Sequence, residues 1–420
     1  MNEVLLAGAI FIFTFALIVT EKIDRTLTAL LGGILMIILG VVSQEKAFHA
    51  IDWNVIFLLT GMMIIANVLR ETGIFQWIAV KAVVWGKGDP FRIIVMLAIV
   101  TAIASALLDN VTIVILLAPV TLFVASNLKI NPIPYLIIVI LASNIGGAAT
   151  LIGDPPNILI GSAANIDFLT FLANLGPVII VILIVFIGVL WIWFRGQWSK
   201  NQEAMAELEV LDTSTLLTDK NSLRKSAVVM GLVMIGFLVH GVFDLEPATI
   251  ALGGAVILLL WTQKDVHTVL RDVEWATLFF FIGLFIAVEG LVQVGIIETI
   301  GEYLINITGG DLLFTSMLLL WMSALFSGIV DNIPYTATMI PVVQSLEGAL
   351  PLQPLWWSLA LGACLGGNAT LVGASANVVV ANIATRGGYP ISFRLFLRYG
   401  VIITVISLVI ASFYIWMRYL

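Results

Sequence analysis

A chain of 420 residues that is 61% hydrophobic and only 11% charged departs far from soluble domains, where about a quarter of residues are charged; it belongs in a bilayer. The net charge of -7 leaves no basic footprint for nucleic acid. A lone cysteine, Cys364, excludes a disulfide framework, an iron–sulfur cluster and any multi-thiolate metal site, each of which needs several sulfurs, and no cofactor or metal is expected.

The first apolar run, 4–19, follows Met1, Asn2 and Glu3, which lack the positive start of a cleavable signal, so it reads as a retained span. Further runs at 27–42, 54–70, 133–165, 177–194, 227–243, 248–262, 276–292, 356–384 and 399–417 can each cross about 30 Å of hydrocarbon. Two longer stretches, 91–127 and 312–347, are each broken in the middle. A charged segment, 196–226, reads as a cytoplasmic tether between an N-terminal half, 1–195, and a C-terminal half, 227–420. With the N-terminus outside, 17 of the 19 Lys and Arg fall on one side and only Lys46 and Arg418 on the other. By the positive-inside rule both termini are then extracytoplasmic, in the plasma (inner) membrane of a prokaryote.

The second half repeats the first. Asp52-Trp53, Gly61, Gly73, Asp109-Asn110 and Pro119 match Glu274-Trp275, Gly283, Gly295, Asp331-Asn332 and Pro341 at an offset of 222, and 146–157 matches 366–377 at an offset of 220 with seven of twelve positions identical. Each half holds five spans and one stretch that leaves on the side it entered, so the second copy must be inverted in the membrane, as in alternating-access transporters. The expected fold is all-α: ten transmembrane helices plus two re-entrant helical hairpins, in two inverted repeats with discontinuous helices.

The breaks carry the chemistry. The run around Asp109-Asn110 has no basic residue and no long polar turn, so it reads as a hairpin whose apex is inside the protein, and likewise Asp331-Asn332; two full spans would give the same charge parity. Paired glycines ahead of Asp154-Pro155-Pro156 must break a helix, which leaves 133–165 and 356–384 unwound at their centres, tolerated only where backbone is buried or lines a cavity. The expected binding centre comprises Asp109, Asn110, Thr112, Asn144, Gly147, Thr150, Asn157, Asp331, Asn332, Gly367, Asn368, Thr370, Ser375 and Asn377. Half-helix N-termini supply partial positive charge there, and carbonyl and amide oxygens can meet a cation. Intramembrane acids are costly and functional by default, and all Lys and Arg map to membrane edges. Asp154, Asp109 and Asp331 are therefore expected to bind a mobile cation or take up a proton. Asp154, matched by Ala374, is the leading proton-coupling acid. Glu289 reads as interfacial and Cys364 as inert packing. No phosphate loop, His-Glu-x-x-His or Gly-x-Ser-x-Gly motif is present, so neither an ATPase nor a hydrolase is supported and the protein is not expected to be an enzyme.

Asp109-Asn110-Val111-Thr112, Leu117 to Thr121 and Gly147 to Asn157 resemble the arsenite permease (arsenical pump membrane protein) family, which includes the pink-eyed dilution or P protein, within the ion transporter superfamily. The resemblance covers nearly the whole chain. It implies a scaffold, a moving unit and elevator-like access, with binding at Asp109-Asn110, Gly147 to Asn157, Asp331-Asn332 and Gly367 to Asn377. With no cationic side chain at the site, an uncharged trihydroxide suits the Asn, Thr and Ser lining better than a carboxylate. The expectation is a secondary exporter of arsenite and antimonite by proton antiport, with a soluble ATPase subunit and a homodimer left open as partners. Sodium–proton antiport and sodium-coupled carboxylate transport are the alternatives.

Overall fold

The structure, a computed structural model, describes residues 3–20, 22–86, 89–127, 130–195, 216–243 and 245–420. Most of the expected tether, 196–215, and Lys87, Lys129 and Lys200 lie outside the described residues. Among the described residues all regular structure is helical. The first half runs α1 (Glu3–Thr20), α2 (Arg25–Ile38), α3 (Gln44–His49), α4 (Trp53–Glu71), α5 (Ile74–Trp85), α6 (Pro90–Leu107), α7 (Asn110–Asn127), α8 (Ile133–Gly147), α9 (Pro155–Ala163) and α10 (Phe168–Phe194). The second repeats that order: α11 (Lys220–Val239), α12 (Pro247–Thr262), α13 (Val266–Arg271), α14 (Trp275–Gln293), α15 (Ile296–Thr308), α16 (Leu312–Ser327), α17 (Asn332–Gln344), α18 (Leu352–Gly366), α19 (Ser375–Arg386) and α20 (Phe393–Tyr419).

Most boundaries follow from capping. Asp24, Asp52, Asp89, Asp167, Asp219, Asp311 and Ser392 each accept a backbone N–H at the start of the helix that follows, satisfying donors that a helix leaves unpaired. These caps correct several expected ends. The span expected at 177–194 begins at Phe168, that at 399–417 begins at Phe393, and the second half starts at Lys220 rather than 227. Positive φ at Gly73 and Gly295, a conformation other residues avoid, turns the chain from α4 into α5 and from α14 into α15. α5 and the amphipathic α15 were not among the expected elements. α15 meets α16 at a bend of 120°.

By length and composition, seven described helices can cross a membrane: α1, α4, α7, α10, α11, α14 and α20. α7 meets that criterion although it is an arm of an expected hairpin, because length does not distinguish an arm from a span. The breaks fall where glycine and proline placed them. α6 and α7 are joined by two residues, and 148–154 and 367–374 interrupt the paired half-helices α8–α9 and α18–α19.

The two sequence halves interleave. α2 packs along α14 and α12 along α4, with α1 and α11 beside them, while α5–α10 and α15–α20 pack chiefly among themselves. Lipid tails are as apolar as leucine, so close backbone approach through small residues, rather than hydrophobic burial, holds such helices together. A Cβ on Gly61 would stand 2.5 Å from the Ala251 carbonyl carbon, and one on Gly283 2.5 Å from that of Ala29. The two crossings are one contact repeated at an offset of 222. In the other body Gly146 meets Ala102 as Gly366 meets Ala324.

Candidate functional site

Each hairpin tip is pinned to the unwound segment beside it by hydrogen bonds that recur in both halves. Ser105 Oγ donates to Ser143 O (2.8 Å) and Ser327 Oγ to Ala363 O (2.6 Å). Thr150 Oγ1 donates to Ala106 O and Thr370 Oγ1 to Gly328 O, both at 2.6 Å. Asn157 Nδ2 donates to Gly147 O (3.1 Å) and Thr150 O (2.9 Å), while Asn377 Nδ2 donates to Gly367 O (2.7 Å) and Thr370 O (2.8 Å). Unwound backbone at this depth must satisfy its carbonyls within the protein, and these side chains do so. Thr150, Thr370, Gly147 and Gly367 therefore shape the site. Ser105 and Ser327 were missed in the sequence, although they are identical at the repeat offset.

At the centre the repeats diverge, giving two unlike poles. The first is built of amides. Asn110 Nδ2 donates to Asn144 Oδ1 (3.2 Å), and Asn144 Nδ2 donates to Asn368 Oδ1 and Asn377 Oδ1, both at 2.9 Å. All four asparagines are buried, and Asn110 Oδ1 has no hydrogen-bond partner. The second pole is acidic. Asn332 Nδ2 lies 3.3 and 3.2 Å from the two oxygens of Asp154, and Cys364 Sγ donates to Asn157 Oδ1 at 3.2 Å. Cys364, the repeat equivalent of Asn144, is fully buried, and its thiol bonds one of the expected site residues, Asn157. Asp154 starts α9 and Ala374 starts α19, neither with a side-chain cap, so the ends of two half-helix dipoles face the centre.

Asp109 and Asp331 are hairpin caps with one hydroxyl neighbour each. Asp109 accepts from Thr112 N–H (2.9 Å) and from the Thr112 hydroxyl (2.5 Å). Asp331 accepts from Ile333 N–H (3.0 Å) and from the Ser375 hydroxyl. Each acid is next in chain to a residue bonded at Asp154: Asn332 Nδ2 meets the Asp154 carboxylate, and Asn110 N–H donates to Gly153 O at 3.1 Å. Among the described residues no ion pair reaches Asp109 or Asp154, and no three His, Cys, Asp or Glu are grouped as metal ligands. A monovalent cation would rely on these carboxylates together with amide and carbonyl oxygens.

One expectation fails. A cationic side chain does accompany one of the acids: Arg25, at the start of α2, donates to Ser375 Oγ at 2.5 Å and pairs with Asp331 Oδ2 at 3.3 Å. Its repeat equivalent is Pro247, so the self-match could not point to it. Arg70 pairs with Asp272 at 2.6 Å, and Glu274 lies within electrostatic reach of Arg25, Arg70 and Asp109. Glu289 accepts from Gln293 Nε2 at 2.5 Å and, as expected, lies near the end of its helix.

With this geometry in hand, comparison with known proteins is informative. Residues 15–362 match the profile of the family described as citrate transporter, CitMHS. The chain belongs to that family. It is 44% identical to the 46 kDa membrane protein of Mycobacterium leprae over 99% of both chains, and 44% identical to an uncharacterized transporter of Mycobacterium tuberculosis, again over 99% of both. Human P protein is 35% identical over 99% of this chain and 60% of its own length, so the chain spans about three fifths of that relative. The crystal structure of the Alcanivorax borkumensis YdaH transporter, described as having an unusual topology, superposes with a TM-score of 0.58 over 99% of this chain and 98% of that one, at 12% identity. That likeness concerns the fold. This member of the citrate transporter family is a secondary membrane transporter of the ion transporter superfamily, multi-pass, and homologous to P protein as its motifs implied.

Proposed function

We propose that the protein carries a small carboxylate anion across the membrane by alternating access, coupled to a cation through Asp154. The observation that carries this reading is Arg25 within hydrogen-bond distance of the second hairpin tip and the start of α19. The preference for an uncharged substrate rested on the absence of a cationic side chain from the site. Arg25 removes that premise, and the family's description agrees with the charge logic. A guanidinium and a half-helix N-terminus offer a carboxylate paired N–H donors. Asp154, buried and hydrogen-bonded by the neutral Asn332 amide, is suited to take a proton or a sodium ion in one limb of the cycle and give it up in the other. Ten spans, two inverted repeats and extracytoplasmic termini complete the proposal, with the α5–α10 and α15–α20 body moving against the α1–α4 and α11–α14 scaffold.

Export of arsenite and antimonite by proton antiport is the second reading, favoured by the neutral amide pole of Asn110, Asn144, Asn368 and Asn377. Purified protein in proteoliposomes, assayed in parallel with citrate, succinate and arsenite under imposed proton or sodium gradients, separates the two. Gradient-driven carboxylate accumulation is the expected result. Accumulation of arsenite alone would transfer the site to the metalloid.

A further inference from the structure

The scaffold and the other body meet along clefts that the repeat relates in pairs, and members of a pair differ. Phe285, Glu289, Val292 and Ala337 line a cavity of about 430 Å³ between α14 and α17. Their equivalents at an offset of 222 are Met63, Asn67, Arg70 and Ile115. These line a space of only about 30 Å³ between α4 and α7. At its edge Arg70 pairs with Asp272, and Asn67 Nδ2 donates to Asp272 O at 2.9 Å.

A second pair repeats the pattern. Asn54, Leu58 and Pro247 line a cavity of about 390 Å³. The equivalent positions are Ala276, Phe280 and Arg25. There the guanidinium lies over the Phe280 ring at 5.5 Å and reaches across to Asp331 and Ser375, while Thr26 Oγ1 donates to Ala276 O at 3.0 Å. In both pairs an arginine lines the closed member and Pro247 or Val292 the open one, and Arg25 crosses from the scaffold to the other body. Arg25 and Arg70 lie on the same side of the molecule, since Thr26, next to Arg25, bonds Ala276 O and Arg70 pairs with Asp272 four positions earlier.

We infer that Arg25 is a latch that closes the Lys- and Arg-rich face, with the Arg70–Asp272 pair bracing the scaffold beside it, and that this structure is the state open to the opposite face. The inference rests on the alternating-access reading above. The Arg25 contact joins the scaffold to Asp331 and Ser375 of the moving body, so it must break or rearrange for the closed clefts to open. The repeat explains why the latch is one-sided: the opposite face has no cation at either position. Loss of one partly exposed ion pair is worth about a five-fold change in the balance of the two states.

The test uses Ile115→Cys in the narrow cleft and Val292→Cys in the wide one, introduced singly and labelled in membrane vesicles of known sidedness with a membrane-impermeant maleimide. The native chain, whose Cys364 is fully buried, gives the blank. Val292→Cys should label readily and Ile115→Cys should be protected. Adding Arg25→Gln should raise Ile115→Cys labelling about five-fold and lower that of Val292→Cys. Arg25→Lys, which keeps the positive charge, should retain most of the protection. Equal labelling of the two reporters in the parent, a rise at both in Arg25→Gln, or the same loss of protection in Arg25→Lys as in Arg25→Gln would each overturn the latch. Because no substrate is added, a failure here is distinguishable from a failure of the carboxylate reading.

Discussion

Arg25 Nη1 lies 3.3 Å from Asp331 Oδ2 across 306 positions of sequence, joining the second helix of the first half to the hairpin tip of the second. The pair is partly shielded, with side-chain exposures of 35% and 16%, and Ser375 bonds to both partners. A double-mutant cycle of Arg25→Gln and Asp331→Asn, read as thermal unfolding in detergent, should show a coupling of about 1 kcal/mol. Additive single effects would mean that the contact contributes nothing to the folded state.

Asp154→Asn should abolish gradient-driven accumulation while leaving counterflow exchange of substrate measurable. Asparagine keeps the size of the side chain and removes its capacity to take up and release a cation. Uphill transport at the native rate in this variant would remove Asp154 from coupling.

Cys364 tests the acidic pole. Its thiol donates to Asn157 Oδ1 in a fully buried setting, so Cys364→Ala leaves that oxygen without its donor and should destabilise the protein by about 1–3 kcal/mol. Cys364→Ser retains a donor and should lose less. Equal melting temperatures for the two variants would show that the contact does not matter.

Gly61→Val and Gly283→Val place side-chain atoms where α4 meets α12 and where α14 meets α2. Backbone cannot retreat as a flexible side chain can, and overpacking of this kind costs about 1–3 kcal/mol or more. Both variants should lower the yield of monodisperse protein in size-exclusion chromatography to a similar degree. A large effect at one site and none at the other would contradict the equivalence of the two crossings.

Asp219 lies just before α11 and outside the spans. The Ser222 hydroxyl and amide hold its carboxyl below the usual carboxylate range. A depressed folded-state value stabilises the protein above the ordinary carboxylate pKa, about 4, and that contribution disappears as pH falls through the folded value. Asp219→Ala should lower the melting temperature at neutral pH, by about 1 kcal/mol of cap energy, with the difference closing in strong acid. A difference that persists in acid would assign it to the helix itself.

Composition, periodic apolar runs and the self-match at offsets of 222 and 220 were enough to establish a helical membrane protein built twice, the position of both hairpin tips, and both unwound segments. Each of these is written locally: hydropathy over about 20 residues, or glycine and proline where a helix must stop. The capping acids Asp24, Asp167 and Asp219 were equally visible, and reading them would have corrected the helix ends.

What the chain order could not reveal is which groups face one another. The partnership of α2 with α14, the bonds of Asn144 to Asn368 and Asn377, the bond of Cys364 to Asn157, and the contact of Arg25 with Asp331 all join residues separated by more than 200 positions. The repeat even misleads at those points, because Pro247, Cys364 and Ala374 stand where the other copy has Arg25, Asn144 and Asp154. Local pattern sets where helices begin, break and end. Whether a charge reaches water or the interior depends on the direction its helix takes in three dimensions, and that direction is set by small-residue crossings such as Gly61 on Ala251.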